Sequence, residues 1–283
     1  MRPLCVDLDG TLIRSDVLFE SAAVLLRRKP WLAFALPLWL TGGKARMKRE
    51  IASRVQIEPS LLPYNQEFVD WLTAEHERGR TTVLATASDQ LLANAIAKYL
   101  PIFDDVIGSD GTTNQKGTGK LATLQARYGS DFAYAGNSSS DLAIWRGCAE
   151  AIVVNAGTST AAAARVLGTV TKEFPATRLS YGLVRKVLRG RMCQLILLCS
   201  IPPTLLTGNS LWALAGLAVC LLASGALIAR DVLSLQPDRR NRRLAQRPIA
   251  SGNFPISTAF FLAPALLALG SLLALYIAWR SVG

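Results

Sequence analysis

The sequence has one histidine and five cysteines, and neither residue type is arranged for chemistry. His76 lies in the polar run Glu75-His76-Glu77-Arg78 and reads as a solvated helix position. Cys5, Cys148, Cys193, Cys199 and Cys220 show no CxxC spacing, and three of them lie in very apolar stretches. They read as reduced, buried thiols rather than disulfides or metal ligands. No signal peptide is evident: Met1-Arg2-Pro3 runs straight into a strand pattern, so synthesis is expected to begin in the cytoplasm and the first domain to stay there. The basic runs lack interleaved aromatics, which argues against nucleic acid as a partner.

Basic and apolar residues are plentiful. With 31 Lys and Arg against 20 Asp and Glu, the net charge of +11 points to an acidic partner such as phosphate or an anionic membrane. Mean hydropathy of +0.28 is high for a soluble protein, and 283 residues suffice for two domains. Residues 1–177 alternate strand and helix patterns, with strands at 4–8, 82–86, 132–135 and 151–154 and helices at 89–99 and 121–128. Strands separated by single helices predict an α/β, Rossmann-like, doubly wound parallel sheet with its site beyond the strands' carboxyl ends. Residues 17–78 interrupt that rhythm with helical patterns alone, as an inserted cap does. Within them, residues 31–40 are apolar on every face between basic flanks. At 1.5 Å per residue they reach about 15 Å, too short to cross a bilayer, so they are either the core of the cap or an interfacial segment.

From residue 178 the composition changes. Arg178, Arg185, Lys186, Arg189 and Arg191 precede apolar stretches at 192–206, 211–229 and 256–279, with a basic loop from Arg230 to Arg247 before the last. These predict about three transmembrane helices, the first slightly short. Basic residues on both flanks of the first pair place those flanks on the cytoplasmic side of an inner (plasma) membrane, in a multi-pass arrangement, and give the excess positive charge its address.

The chemistry centres on Asp7-Leu8-Asp9-Gly10-Thr11. Residues two apart on a strand share a face, so Asp7 and Asp9 project together, and Gly10 permits a sharp turn. Two close carboxylates repel unless a cation intervenes, and Mg²⁺ suits oxygen ligands and a phosphate substrate. An aspartate can attack phosphorus while a second acid protonates the leaving oxygen. The further ligands of a calcium loop are absent. Thr86 ends the second strand, where a hydroxyl and following amides can hold a phosphoryl oxygen, or serve a helix cap for which Ser88 is the other candidate. Lys120 can neutralise the nucleophile, and the run from Asn137 to Asp141 offers oxygens for metal.

In that order, these motifs resemble the haloacid dehalogenase superfamily, phosphoserine-phosphatase-like branch. The resemblance implies Asp7 as nucleophile, Asp9 as general acid/base, Thr86 as phosphoryl anchor, Lys120 as charge stabiliser, and a Mg²⁺ site drawn from Asp7, Asp9, Asn137 and Asp141. Asn137 stands where the family usually has aspartate, which implies weaker Mg²⁺ binding. The C-terminal part resembles the start of UbiA-type polyprenyl transferases through Arg230-Asp231 to Asp238-Arg239 and Arg247-Pro248, with Asp231 and Asp238 matching a diphosphate–Mg²⁺ loop. There Arg230 replaces the family's Asn, Ser234 replaces its middle Asp, and the sequence in hand ends after three apolar stretches, where the family has about nine helices. The expectation is a membrane-anchored, Mg²⁺-dependent phosphatase acting on a phosphorylated small molecule or a lipid-linked or polyprenyl phosphosugar, with membrane lipid as a partner. The alternatives are a bifunctional prenyltransferase, truncated or degenerate here, and a non-enzymatic membrane scaffold.

Overall fold

The computed structural model describes residues 1–110, 115–176 and 179–282, and Arg178, read above as the first of the bases before the apolar stretches, lies outside them. The chain divides into two compact units, Met1–Thr177 and Arg178–Gly283.

In the first unit the elements run β1 (Leu4–Val6), α1 (Val17–Arg28), α2 (Ala35–Thr41), α3 (Lys44–Ala52), α4 (Gln66–Glu77), β2 (Thr82–Asp89), α5 (Gln90–Tyr99), β3 (Asp105–Ser109), α6 (Thr118–Tyr128), β4 (Ala133–Gly136), α7 (Leu142–Gly147), β5 (Glu150–Val154), α8 (Thr158–Val166) and β6 (Val170–Phe174). The six strands form one parallel sheet in the order β3-β2-β1-β4-β5-β6. Alternation along each strand sends Leu4, Val6, Leu84, Ala135 and Val154 to one face and Cys5, Val83, Ala85, Tyr134 and Val153 to the other. Helices cover both faces, so the inner strands are apolar in their middles and carry polar residues only towards their ends. β3 and β6 had no strand signal because they are edges: Val170-Thr171-Lys172-Glu173 is largely exposed, and its polar residues hide the period.

Between β1 and α4 lie α1, a 3-10 turn (Pro30–Phe34), α2, α3 and a second 3-10 turn (Pro59–Leu61). α4 itself buries Phe68, Val69 and Leu72 in the sheet core, where Phe68 and Trp71 meet Phe174 of β6. His76 is not merely solvated: its Nδ1 lies 3.3 Å from Thr82 Oγ1 and 3.7 Å from Asp104. All five thiols are free, and burial pushes Cys5 up to about 12 and Cys148 up to about 11. Cys199 is exposed, against the expectation of burial.

The second unit holds α9 (Tyr181–Val187), α10 (Gly190–Thr207), α11 (Leu211–Leu233), α12 (Leu235–Arg240) and α13 (Ile256–Val282). Among the described residues two helices, Leu211–Leu233 and Ile256–Ser281, are long and apolar enough to cross a membrane, where about three were expected. α10 falls short because its 18 residues include Pro202, Pro203, Arg191, Gln194 and several hydroxyl residues. α11 and α13 approach closely at Gly225, where a Cβ would stand 2.9 Å from the Ala263 carbonyl, a small-residue contact of the kind that joins apolar helices.

Candidate active site

The sheet register brings the functional groups together. Val6 is level with Leu84 on one side and Ala135 on the other, so the residues following β1, the end of β2 and the end of β4 emerge at one edge. β1 stops at Val6; the Asp7 amide still donates to the Ala135 carbonyl at 2.9 Å, and then the chain turns. Gly10, at φ +77°, is required twice over. Its backbone is left-handed, and a Cβ there would stand 2.0 Å from Asn137 Nδ2, so the Asn137 side chain lies directly on this turn. Asn155, beyond β5, donates from Nδ2 to the Gly10 carbonyl at 3.0 Å.

Asp7 and Lys120 form the buried heart of the site. Lys120, in the first turn of α6, donates from Nζ to Asp7 Oδ1 at 2.7 Å and to Tyr134 Oη at 2.9 Å. Tyr134 in turn donates to Asp141 Oδ1 at 3.0 Å. Burial pushes Asp7 up to about 7 despite the pull of Lys120, with Asp141 and Asp9 adding like charge. Tyr134 is driven well above its usual range, so it stays a neutral hydroxyl. No described residue donates to Asp7 Oδ2, which leaves one carboxylate oxygen open.

Asp9 is held at both oxygens: the Val17 amide donates to Oδ1 at 2.7 Å and Ser88 Oγ to Oδ2 at 2.7 Å. Burial, then the nearby Asp16, push it up to about 7. Asp16 caps α1 through the amides of Leu18 and Phe19, and burial raises it too. Lys48 of α3 counters both acids; its Nζ donates to the Ala87 carbonyl at 2.6 Å, and burial lowers its pKa.

Thr86 is fully buried, and its Oγ1 accepts from the Ser88 amide at 3.0 Å. The cap of α5 is Asp89, which accepts from the Leu91 amide, and not Ser88, whose hydroxyl is committed to Asp9. Asp141 closes a capping box: its Oδ2 accepts from the Asn137 and Ser138 amides and from Ser138 Oγ. Asp7, Asp9, Thr86, Lys120, Asn137 and Asp141 are thus all placed at one end of the sheet. Asp231 and Asp238 lie in the other unit. Arg189 Nη2 donates to Asp231 at 2.7 Å, Arg230 also pairs with it, and Arg247 Nη1 spans both acids at 3.2 and 2.9 Å.

The reading of the sequence missed Ser88 as an Asp9 partner, Tyr134, Lys48 and Asn155. Tyr134 had a signal: a phenol between two alanines on a buried strand must find a hydroxyl partner. Lys48 had none, since only the fold carries α3 to the sheet edge.

The family described as haloacid dehalogenase-like hydrolase matches residues 4–146. The uncharacterized protein y4nM of Sinorhizobium fredii is 31% identical over 277 residues, 95% of this chain, and the chain spans 53% of that relative's length. A Bordetella pertussis structure of unknown function aligns at TM-score 0.48 and 16% identity, over 61% of this chain and 97% of that one. A phosphoserine phosphatase with a phospho-aspartyl intermediate analogue aligns at TM-score 0.40 and 12% identity, over 61% and 92%.

Proposed function

The chain belongs to the haloacid dehalogenase-like hydrolases, and from that premise we propose that its first unit hydrolyses phosphomonoesters through an aspartyl-phosphate on Asp7. The observation that carries this reading is the buried Asp7–Lys120 contact, with one Asp7 oxygen left open at the sheet edge. That oxygen attacks phosphorus, the P–O bond to the alcohol breaks, and Asp9 gives its proton to the departing oxygen. Asp9 then takes a proton from water as the water oxygen attacks phosphorus and the Asp7–phosphorus bond breaks. Burial of Asp9 favours the protonated form the first step needs, and the Val17 and Ser88 donors fix the direction of its carboxyl. Lys120 stays beside Asp7 throughout and offsets its charge. Thr86, fully buried, accepts from the Ser88 amide and is the expected phosphoryl anchor.

A divalent cation fits the donor set in type. Mg²⁺ takes oxygen ligands and usually needs one or two carboxylates beside water and phosphate. The Asp7 carboxylate and the Asn137 amide oxygen meet that need in type, whereas the oxygens of Asp9 and Asp141 are held by protein donors, and among the described residues no three His, Cys, Asp or Glu side chains converge. When bound, Mg²⁺ supplies positive charge beside the incoming phosphate. With Asn137 in place of an acid, its hold is weak.

We read the second unit as the anchor, with α11 and α13 crossing the membrane and basic residues around α10 and the Arg230–Arg247 loop facing the cytoplasm. A lipid-linked phosphate suits an enzyme so tethered. The prenyltransferase alternative finds no support in the loop, where Arg247 sits between Asp231 and Asp238 at the place a cation would need.

The test is to incubate the full chain with a ³²P-labelled phosphomonoester, quench in acid and map the label. Label on the Asp7 peptide, lost in Asp7→Asn along with turnover, is expected. Turnover that survives Asp7→Asn sinks the mechanism, and its loss there removes the scaffold alternative.

A further inference from the structure

Residues 21–49 contain seven bases and not one acid. Their apolar residues are used in two ways. α1 buries Ala22, Ala23, Val24 and Leu25 against the first unit. After Lys29 closes that helix, no residue of the 3-10 turn Pro30–Phe34 or of α2 is fully buried, and only Leu32, Ala35, Leu36 and Trp39 are half-buried. Trp31 is 62% exposed, Phe34 88%, Leu38 70% and Leu40 46%. Single exposed apolar side chains are ordinary, but four large ones within ten residues form a patch with a purpose. The segment is therefore not the core of the cap.

The surroundings of the patch say what covers it. Arg27, Arg28 and Lys29 lie immediately before it and Lys44 and Arg46 immediately after, all exposed. An apolar surface containing tryptophan and phenylalanine, rimmed mainly by bases, with Arg54 over Trp39 and itself paired to Glu50, is complementary to the headgroup–acyl boundary of an anionic bilayer. A protein partner would have to be acidic around an apolar groove; a bilayer offers both properties together. Five 3-10 residues at about 2 Å each and seven helical ones at about 1.5 Å reach about 20 Å, enough to lie in the interface and too little to cross it. The same chain carries two helices of membrane-spanning length, so a bilayer is at hand.

We propose that Pro30–Thr41 is an interfacial anchor that beds Trp31, Phe34, Leu38 and Leu40 in an anionic membrane and so holds the Asp7 site at the lipid surface. The link to the site is α3, which begins three residues after α2. Within its first two turns, about 8 Å of helix, it delivers Lys48 to the Ala87 carbonyl and Arg49 to Asp89 at 3.1 Å, both at the catalytic edge of the sheet. Phosphate borne on a lipid is thereby favoured over phosphate free in solution. That choice of substrate rests on the phosphatase reading; the membrane contact itself does not.

The experiment uses the full chain in nanodiscs of phosphatidylglycerol and phosphatidylcholine doped with a phospholipid bearing a diazirine in its acyl chain. After irradiation, lipid adducts are mapped by peptide mass spectrometry. Adducts are expected on Pro30–Thr41 as well as on α11 and α13. The Phe34→Glu/Leu38→Glu double variant, altered only at exposed positions, should lose the first set and keep the others. It should also lose about tenfold in rate on a polyprenyl monophosphate in the disc while a small soluble phosphomonoester is hydrolysed as before. Adducts confined to α11 and α13, or chain-to-chain crosslinks in their place on Pro30–Thr41, overturn the anchor. Equal rates on the polyprenyl phosphate overturn the substrate preference. If neither ester is hydrolysed the phosphatase reading fails, and the adducts still decide the anchor.

Discussion

Asp7 shares its surroundings with one close lysine, whereas Asp231 in the second unit shares its own with three arginines. Around Asp7 and Asp9 stand Asp16 and Asp141, answered by Lys120, Lys48 and Lys116, so acids still outnumber bases there. Around Asp231 and Asp238 the bases outnumber the acids, and the guanidinium of Arg247 already bridges both. A guanidinium spreads its charge over a planar fork that fits carboxylates directly, leaving no opening for a metal. In the mechanism proposed above the first pair of acids carries the chemistry, whereas the second pair is taken up by arginine. The balance of neighbouring charge, not the acids themselves, makes the difference.

The largest test of this contrast is Lys120→Met. Removing the cation that donates to the nucleophile should lower kcat by about 10²–10³-fold on a soluble phosphomonoester, and Lys120→Arg should restore part of it. Asp231→Asn, measured in the same assay, should leave the rate unchanged. Equal losses in both would erase the distinction between the two regions.

A pH series sharpens it. Asp7 in the folded chain holds its proton up to about 7, while the unfolded chain releases it near 3.8. Between those values the unfolded state binds fewer protons, so metal-free stability should fall as pH rises, by at most about 1.4 kcal/mol per pH unit for each acid so raised, Asp9 as well as Asp7, and be undiminished below the lower value. Saturating Mg²⁺ should flatten the slope. Thermal unfolding in detergent from pH 4 to 8 measures both, and a slope of opposite sign counts against the burial argument.

Arg247→Met leaves Asp231 and Asp238 short of a shared partner. Discounted for partial exposure, the expected cost is about 1–3 kcal/mol of second-unit stability, with hydrolysis unaffected. Adding Asp238→Asn should recover part of the loss, and the double-mutant cycle reads the coupling. Smallest is Asn137→Asp, which should lower the Mg²⁺ concentration for half-maximal activity by about tenfold. An unchanged metal titration would remove Asn137 from the ligand set.

Much of the first unit was legible before the fold was known. Asp7 and Asp9 stand two apart after an apolar run, and the strands at 82 and 133 announce themselves by apolar side chains that need both faces covered. The edge strands β3 and β6 did not, because half-exposed strands carry polar residues that blur the signal. Ser88 was misjudged for a local reason: helix caps and long-range hydroxyl donors look identical in sequence, and Asp89 took the cap. The short apolar stretch at 31–40 was legible as unusual, but its two readings differ only in what lies beside it.

By itself the sequence determined the parallel α/β character of the first unit, the acids of its site and the apolar helices of the second, since periodicity and side-chain transfer energies act locally. Tertiary structure alone decided that Tyr134 joins Lys120 to Asp141, that Lys48 reaches the sheet edge from an inserted helix, and that arginines occupy the second pair of acids. These meetings depend on how the chain is folded, and electrostatic energy depends on distance in space, which sequence spacing does not record.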